Sequence, residues 1–206
     1  PDEWFRPVNM ELGPDGALYV VDMYRCVIEH PDFVPDELKR RPDLRLGDDR
    51  GRIWRIIPNV GRSGPDRPAS RTKPALSKAS STDLVPLLDH PNAWQRETAQ
   101  RLLLEHRDSN VAPQLRVALS SSAQPQARAR AQWSLAGLGA LSAADIAVGV
   151  ADKDARVRRQ AMLLAEMAGN AGGSNAGSAL DLDVLTRDQD PSVRFQSRLL
   201  ASIAKT

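Results

Sequence analysis

The chain has 206 residues, 41% hydrophobic and 26% charged, a composition that fits a folded globular protein and excludes a disordered one. Its 28 basic and 26 acidic residues leave a formal net charge of +2, so no large sequence-independent attraction to nucleic acid is expected. No apolar run approaches the ~20 residues of a membrane helix, and the single cysteine, Cys26, excludes an internal disulfide and a CxxCH haem site within these residues.

The chain opens with PDEWFRPV, without a Met or a signal peptide, so its true start is expected upstream. Val8, Met10 and Leu12 alternate with Asn9 and Glu11, the period of a strand with one buried face. Pro14-Asp15-Gly16 then supplies a turn: Pro presets φ, Asp bonds its own backbone and Gly accepts positive φ. Leu18 to Val21 follows as a second strand, and RIWRII at 52 to 57, stopped by Pro58, as a third. Between them lies a long insertion with three prolines and one expected short helix near Asp36 to Arg41. Long insertions in sheet proteins cap an end of the sheet or carry function.

Residues 59 to 80 read as a linker, rich in Gly, Pro, Ser and Arg at their start. Composition changes here. Two alanines, Ala17 and Ala69, precede residue 75, and 25 occur from there on, which separates a sheet half from a helical half.

The second half repeats. RETAQRLL from Arg96, RARAQWSL from Arg128, RRQAMLLA from Arg158 and RFQSRLLA from Arg194 share a register, with Ala99, Ala131, Ala161 and Ser197 three positions on. Asp89, Asp152 and Asp188, six or seven residues ahead, read as N-caps, and Pro91 and Pro191 as first-turn prolines. TDLVPLLD, VAPQLRVALS, AADIAVGVA and LDLDVLTRD supply the alternate helices, and GNAGGSNAG at 169 to 177 a loop. Leu102, Leu103, Leu135, Leu164, Leu199 and Leu200 are expected to fill the seam between helices. The pattern D-x-x-x-V-R-x-x-A in DKDARVRRQA and DQDPSVRFQS resembles HEAT repeats. The fold class expected is α+β and multidomain: a partial β-propeller blade in residues 1 to 58, then an all-α HEAT-like α-solenoid in residues 81 to 206.

Several residues carry two readings. Asp22, Tyr24, Arg25, Glu29 and His30 follow the second strand and are placed to gather at one end of the sheet as a substrate or cofactor site, with His30 a proton acceptor. The plainer reading has His30-Pro31 ending a segment and Asp22 pairing with Arg25. Asp15 and Gly16 read as turn residues before a cation loop, because Ca²⁺ needs six to eight oxygens. Asp48, Asp49, Arg50 and Arg52 read as a charged turn before a metal site. Arg96, Arg128, Arg158 and Arg194 form a row that either contacts an acidic partner or bonds an Asp or a helix C-terminus in the adjacent repeat. Cys26 reads as an inert thiol, and His90 and His106 stand too far apart for a metal pair. No metal site is expected.

WFRPVNMELGPDGALYVVDMYRCVIEHPDFVP, GDDRGRIWRI and HPNAWQRETAQRLLLEH together resemble the PVC-type membrane-bound dehydrogenase-like proteins. Those proteins join a propeller like that of soluble glucose/sorbosone dehydrogenases to HEAT-like repeats and a cytochrome c domain. The resemblance implies a fragment of a cytochrome-linked oxidoreductase in the cell envelope or periplasm, whose parent uses haem c and a quinone cofactor. No cofactor is expected in the fragment itself, and its partners would be upstream propeller blades and a downstream cytochrome c domain. A protein-protein interaction scaffold without redox chemistry is the competing reading; a nucleic-acid-binding helical array is a third, disfavoured by the charge balance.

Overall fold

The computed structural model describes residues 3–57, 75–170 and 182–203. The chain is α+β and divides into two compact units, Pro1–Pro74 and Ala75–Thr206.

The first unit is built on a three-stranded antiparallel sheet of β1 (Pro7–Leu12), β2 (Leu18–Asp22) and β3 (Arg52–Ile56), in the order β1-β2-β3. The hairpin turn forms because the Asp15 carboxylate accepts from the Ala17 N–H at 3.1 Å while Gly16 takes a φ of 77°, where a Cβ would be strained. Register pairs Met10 with Val20 and Val20 with Trp54, and Leu12 with Leu18 and Leu18 with Ile56, so these six side chains share one face. Val20 at its centre is buried, yet Met10 is 61% and Ile56 52% exposed. That apolar face is thus only partly covered within its own unit. The insertion between β2 and β3 contains one helical turn, α1 (Asp36–Lys39), in place of the expected six-residue helix.

The second unit is helical: α2 (Ser81–Leu84), α3 (Ala93–His106), α4 (Ala112–Ser121), α5 (Pro125–Gly137), α6 (Ala143–Val150), α7 (Ala155–Asn170), α8 (Leu182–Leu185) and α9 (Pro191–Ile203). Helices α3, α5, α7 and α9 pack successively on one another, and α4 packs on both α5 and α6. Close approach is possible because Ala99, Ala131, Ala161 and Ser197 are fully buried at equivalent positions. Leu84, Leu88, Leu103, Leu115, Leu119 and Leu135 fill the main core, and burying a leucine fully is worth about 1.5–3 kcal/mol.

Local chemistry adjusts several expected boundaries. TDLVPLLD is one α-helical turn followed by a 3-10 segment, Val85–Asp89, because Pro86 has no N–H to continue the α-helical ladder. Leu76 is buried among the helices, so the helical unit starts at Ala75, ahead of the expected residue 81. The remainder of the linker reading, residues 59–74, and the loop reading from residue 171 to 177 lie outside the described residues, while Gly169 and Asn170 still belong to α7. Leu199 does not fill the seam, being 41% exposed on α9. The N-caps are Asn92, Asp154 and Asp190, two residues before the first helical N–H they accept, and not Asp89, Asp152 or Asp188.

Candidate functional site

Asp22, at the end of β2, is held by four hydrogen bonds. Its Oδ1 accepts from the backbone N–H of Arg6 at 2.8 Å and of Tyr24 at 2.9 Å, and its Oδ2 from Arg52 Nε and Trp54 Nε1, both at 3.0 Å. Burial alone would raise its carboxyl, but the donors from Trp54, Arg6, Arg52 and Tyr24 outweigh it and hold the group well below the usual carboxylate range. The Arg52 guanidinium lies 3.8 Å from the Tyr24 ring centroid and 4.7 Å from that of Trp54, a cation–π sandwich that fixes both rings. Tyr24 itself takes a left-handed φ of 48°, an uncommon conformation for a bulky residue. The structure therefore joins Asp22 to Tyr24, and Asp22 pairs with Arg52 rather than Arg25. Arg52 leaves the expected cluster of Asp48, Asp49 and Arg50, of which Arg50 and Asp49 remain as an exposed pair at 3.8 Å.

The other residues of that expected site lie apart from this network. Arg25 donates its backbone N–H to Trp4 O at 3.1 Å. His30 is exposed and its Nδ1 accepts from the Asp32 N–H at 3.3 Å, and Glu29 is exposed. Asp15 is tied across the sheet to Arg55 Nε at 2.8 Å and to the Tyr19 hydroxyl at 3.1 Å. Cys26 is half-buried, with Sγ 3.7 Å from Asp43 Oδ2. A carboxylate saturated by four donors is a poor proton acceptor, so the arrangement around Asp22 suits holding the sheet end closed more than acid–base chemistry.

In the second unit the arginine row makes one repeated geometry. Nη1 of each arginine donates to the two carbonyls six and five residues before it: His90 and Pro91 for Arg96, Ser122 and Ala123 for Arg128, Asp152 and Lys153 for Arg158, Asp188 and Gln189 for Arg194. Arg128 also forks onto Asp152 at 2.6 and 2.8 Å, and Arg158 onto Asp188 at 2.8 and 2.7 Å. Each fork joins one helix to the loop that opens the next long helix. Burial raises and the Arg128 fork lowers the Asp152 carboxyl, with a net shift downward; the Arg158 fork lowers Asp188 against its own burial. Arg96 lacks a fork, because Ser122 stands where Asp152 and Asp188 stand in the later units, and its Nε is buried without a partner among the described residues. His90 takes the same place ahead of Arg96, where its Nδ1 accepts from the Asn92 N–H at 3.0 Å as Asp152 accepts from Asp154. His106 Nδ1 lies 3.2 Å from Ser81 Oγ, and so the two histidines serve separate turns.

The helices also carry an open groove. A groove of about 710 Å³ runs across α3, α5 and α7, floored by Leu104, Trp133, Ala136 and Met167 and edged by Arg130 and Arg156. Arg130 donates to Gln100 Oε1 and, at 3.2 Å, to Glu97 Oε1, and Trp133 Nε1 donates to Gln160 Oε1 at 2.8 Å. None of these residues stands out in the sequence. The signal was present in the shared register, which places Arg130 and Gln160 two residues after their aligned arginines, on one helix face.

Among the described residues no group of three or more His, Cys, Asp or Glu side chains is arranged to hold a metal ion, and no helix is long and apolar enough to cross a membrane. Residues 1–60 match a family described as a domain of unknown function, DUF7133. No curated protein and no solved structure matches the chain.

Proposed function

We propose that this chain is a docking and scaffolding portion of a larger protein: the terminal sheet of a β-propeller followed by a HEAT-like helical stack. The observation that carries this reading is the commitment of its conspicuous polar groups. Asp22 and the forks of Arg128 and Arg158 are spent on holding the fold together, whereas the helices keep an open groove. Repeated helix pairs linked by nearest-neighbour contacts build extended surfaces suited to binding.

The dehydrogenase-like reading is favoured by a separate observation. The sheet face carrying Met10 and Ile56 is apolar and only partly covered, as a propeller blade would be before its neighbours pack on it. In that reading the parent's haem c and quinone belong to other segments, and the helices position them. Titrating the helical unit, residues 75–206, into the full-length parent produced without it should give saturable association by calorimetry. No association with the parent, and no cross-linked protein partner in the native host, overturns the docking role. Failure of the haem-loaded parent to reduce a dye with any aldose or polyol removes the oxidoreductase reading while leaving the scaffold.

A further inference from the structure

We infer that the groove across α3, α5 and α7 binds a short acidic polypeptide segment through its side-chain carboxylates, its backbone carbonyls and one apolar side chain. This names the ligand class for the docking role proposed above and rests on it. The inference follows from the hydrogen-bond polarity of the groove. Trp133 Nε1 and the Arg130 guanidinium can only donate, so the oxygens of Gln160 and Gln100 must turn towards them. Both amide groups are thereby locked with their NH₂ ends directed elsewhere, each holding two donors for a ligand. No carboxylate is among the residues lining the groove, and its two charged lining residues are Arg130 and Arg156.

A surface that offers donors and cations selects an acceptor-rich, negatively charged ligand. The competing carboxylates are local. Glu97, the carboxylate facing Arg130, has a side chain 65% exposed and can give way, whereas Arg156, itself 72% exposed, keeps Asp154 through Nε and Nη2 and offers its Nη1 to a ligand. Leu104, Trp133 and Met167, the last 55% exposed, are the large apolar lining residues and follow the two cations along the helices, where they form an apolar seat for a Leu or an aromatic ring. At about 710 Å³ the groove falls within the ~300–1,000 Å³ of sites that enclose a small ligand, which suits a few residues of extended chain. A nucleic-acid strand fits less well, because two arginines around an apolar floor neutralise few phosphates.

The test uses the full 206-residue chain and fluorescein-labelled octapeptides in which Asp and Glu flank a central Leu, Phe or Trp. Saturable binding with a Kd on the order of 10 µM is expected. Arg130→Ala combined with Arg156→Ala should weaken it at least about tenfold, as should Met167→Glu, with circular-dichroism melting curves showing that each variant is folded. Arg50→Ala, in the other unit, should leave binding unchanged. Absence of binding by every peptide, equal binding of peptides with Lys in place of Asp and Glu, or undiminished binding by both groove variants overturns the assignment. Tighter binding of an oligodeoxythymidine than of the peptides overturns it in favour of nucleic acid. If the helical unit still associates with the parent while no peptide binds, the groove assignment fails alone and the docking role stands.

Discussion

Asp152 does three things at once. Its carboxylate takes the fork of Arg128, its Oδ1 also accepts the Asp154 N–H, and its carbonyl accepts from Arg158. The Arg128 and Asp152 side chains are only 4% and 7% exposed, so removing one leaves the other charge without a partner in a poorly hydrated place. Arg128→Ala should therefore lower unfolding free energy by about 3 kcal/mol, within the usual ~3–5 for a broken buried pair. Urea denaturation followed at 222 nm measures it, and a loss no larger than that of an exposed arginine, such as Arg50→Ala, would contradict the role. The first helical repeat supplies the converse case. Ser122→Asp should give Arg96 the carboxylate that Arg128 and Arg158 already have, raising stability by about 1 kcal/mol in the same assay; a neutral or destabilising result would mean that Arg96 Nε is satisfied in another way.

At the scale of elements, α6 is pressed against its neighbours at Gly149. A Cβ there would stand 1.7 Å from Gln132 Nε2 and 2.8 Å from the Ala161 Cβ. Gln132 is fully buried and donates to Asp145 O at 3.2 Å, so it cannot swing aside without losing that bond. Gly149→Ala should cost about 1–3 kcal/mol by overpacking, read as a lower thermal midpoint; an unchanged midpoint would show that α6 shifts freely. Element type was legible wherever a period ran long enough, as in α3, α5, α7 and α9 and in the alternation of β1. What the sequence did not reveal were contacts made across it. Trp54 and Arg52 reach Asp22 from about thirty positions away, and spacing alone carries no signal for such a meeting. The caps at Asp154 and Asp190 lie two residues beyond the expected Asp152 and Asp188 for a related reason: Asp152 and Asp154 are chemically equal as caps, and only the arginine fork, a tertiary contact, decides that the second one caps.

For the helical unit as a whole, acid should act through the same carboxylates. Asp145, Asp152 and Asp188 are all held below their ordinary values, and Arg156 brings Asp154 down to about 2. A depressed carboxyl contributes stability that is fully present above its unfolded value of ~3.9 and is lost as pH falls through the folded value, because the unfolded chain then binds more protons. The urea midpoint should stay nearly level from about pH 7 to 5 and drop below about pH 4. The gap between wild type and Arg128→Ala should narrow over that drop, since protonating Asp152 removes what the variant already lacks. A gap that is constant with pH would mean that the fork contributes packing and no charge pairing. The groove was the least legible feature at this scale, since Gln100, Arg130 and Gln160 acquire meaning only when three helices lie side by side.

The forks also bear on how the sequence is free to change. Arg128 meets Asp152 across 24 positions and Arg158 meets Asp188 across 30, yet both pairs close with the same two-pronged geometry. The staple, rather than the length of chain between its ends, sets where the next helix begins. Closing the longer span costs only about 0.2 kcal/mol more by loop-closure entropy. A staple of this kind lets repeats of unequal length begin their long helices in one register.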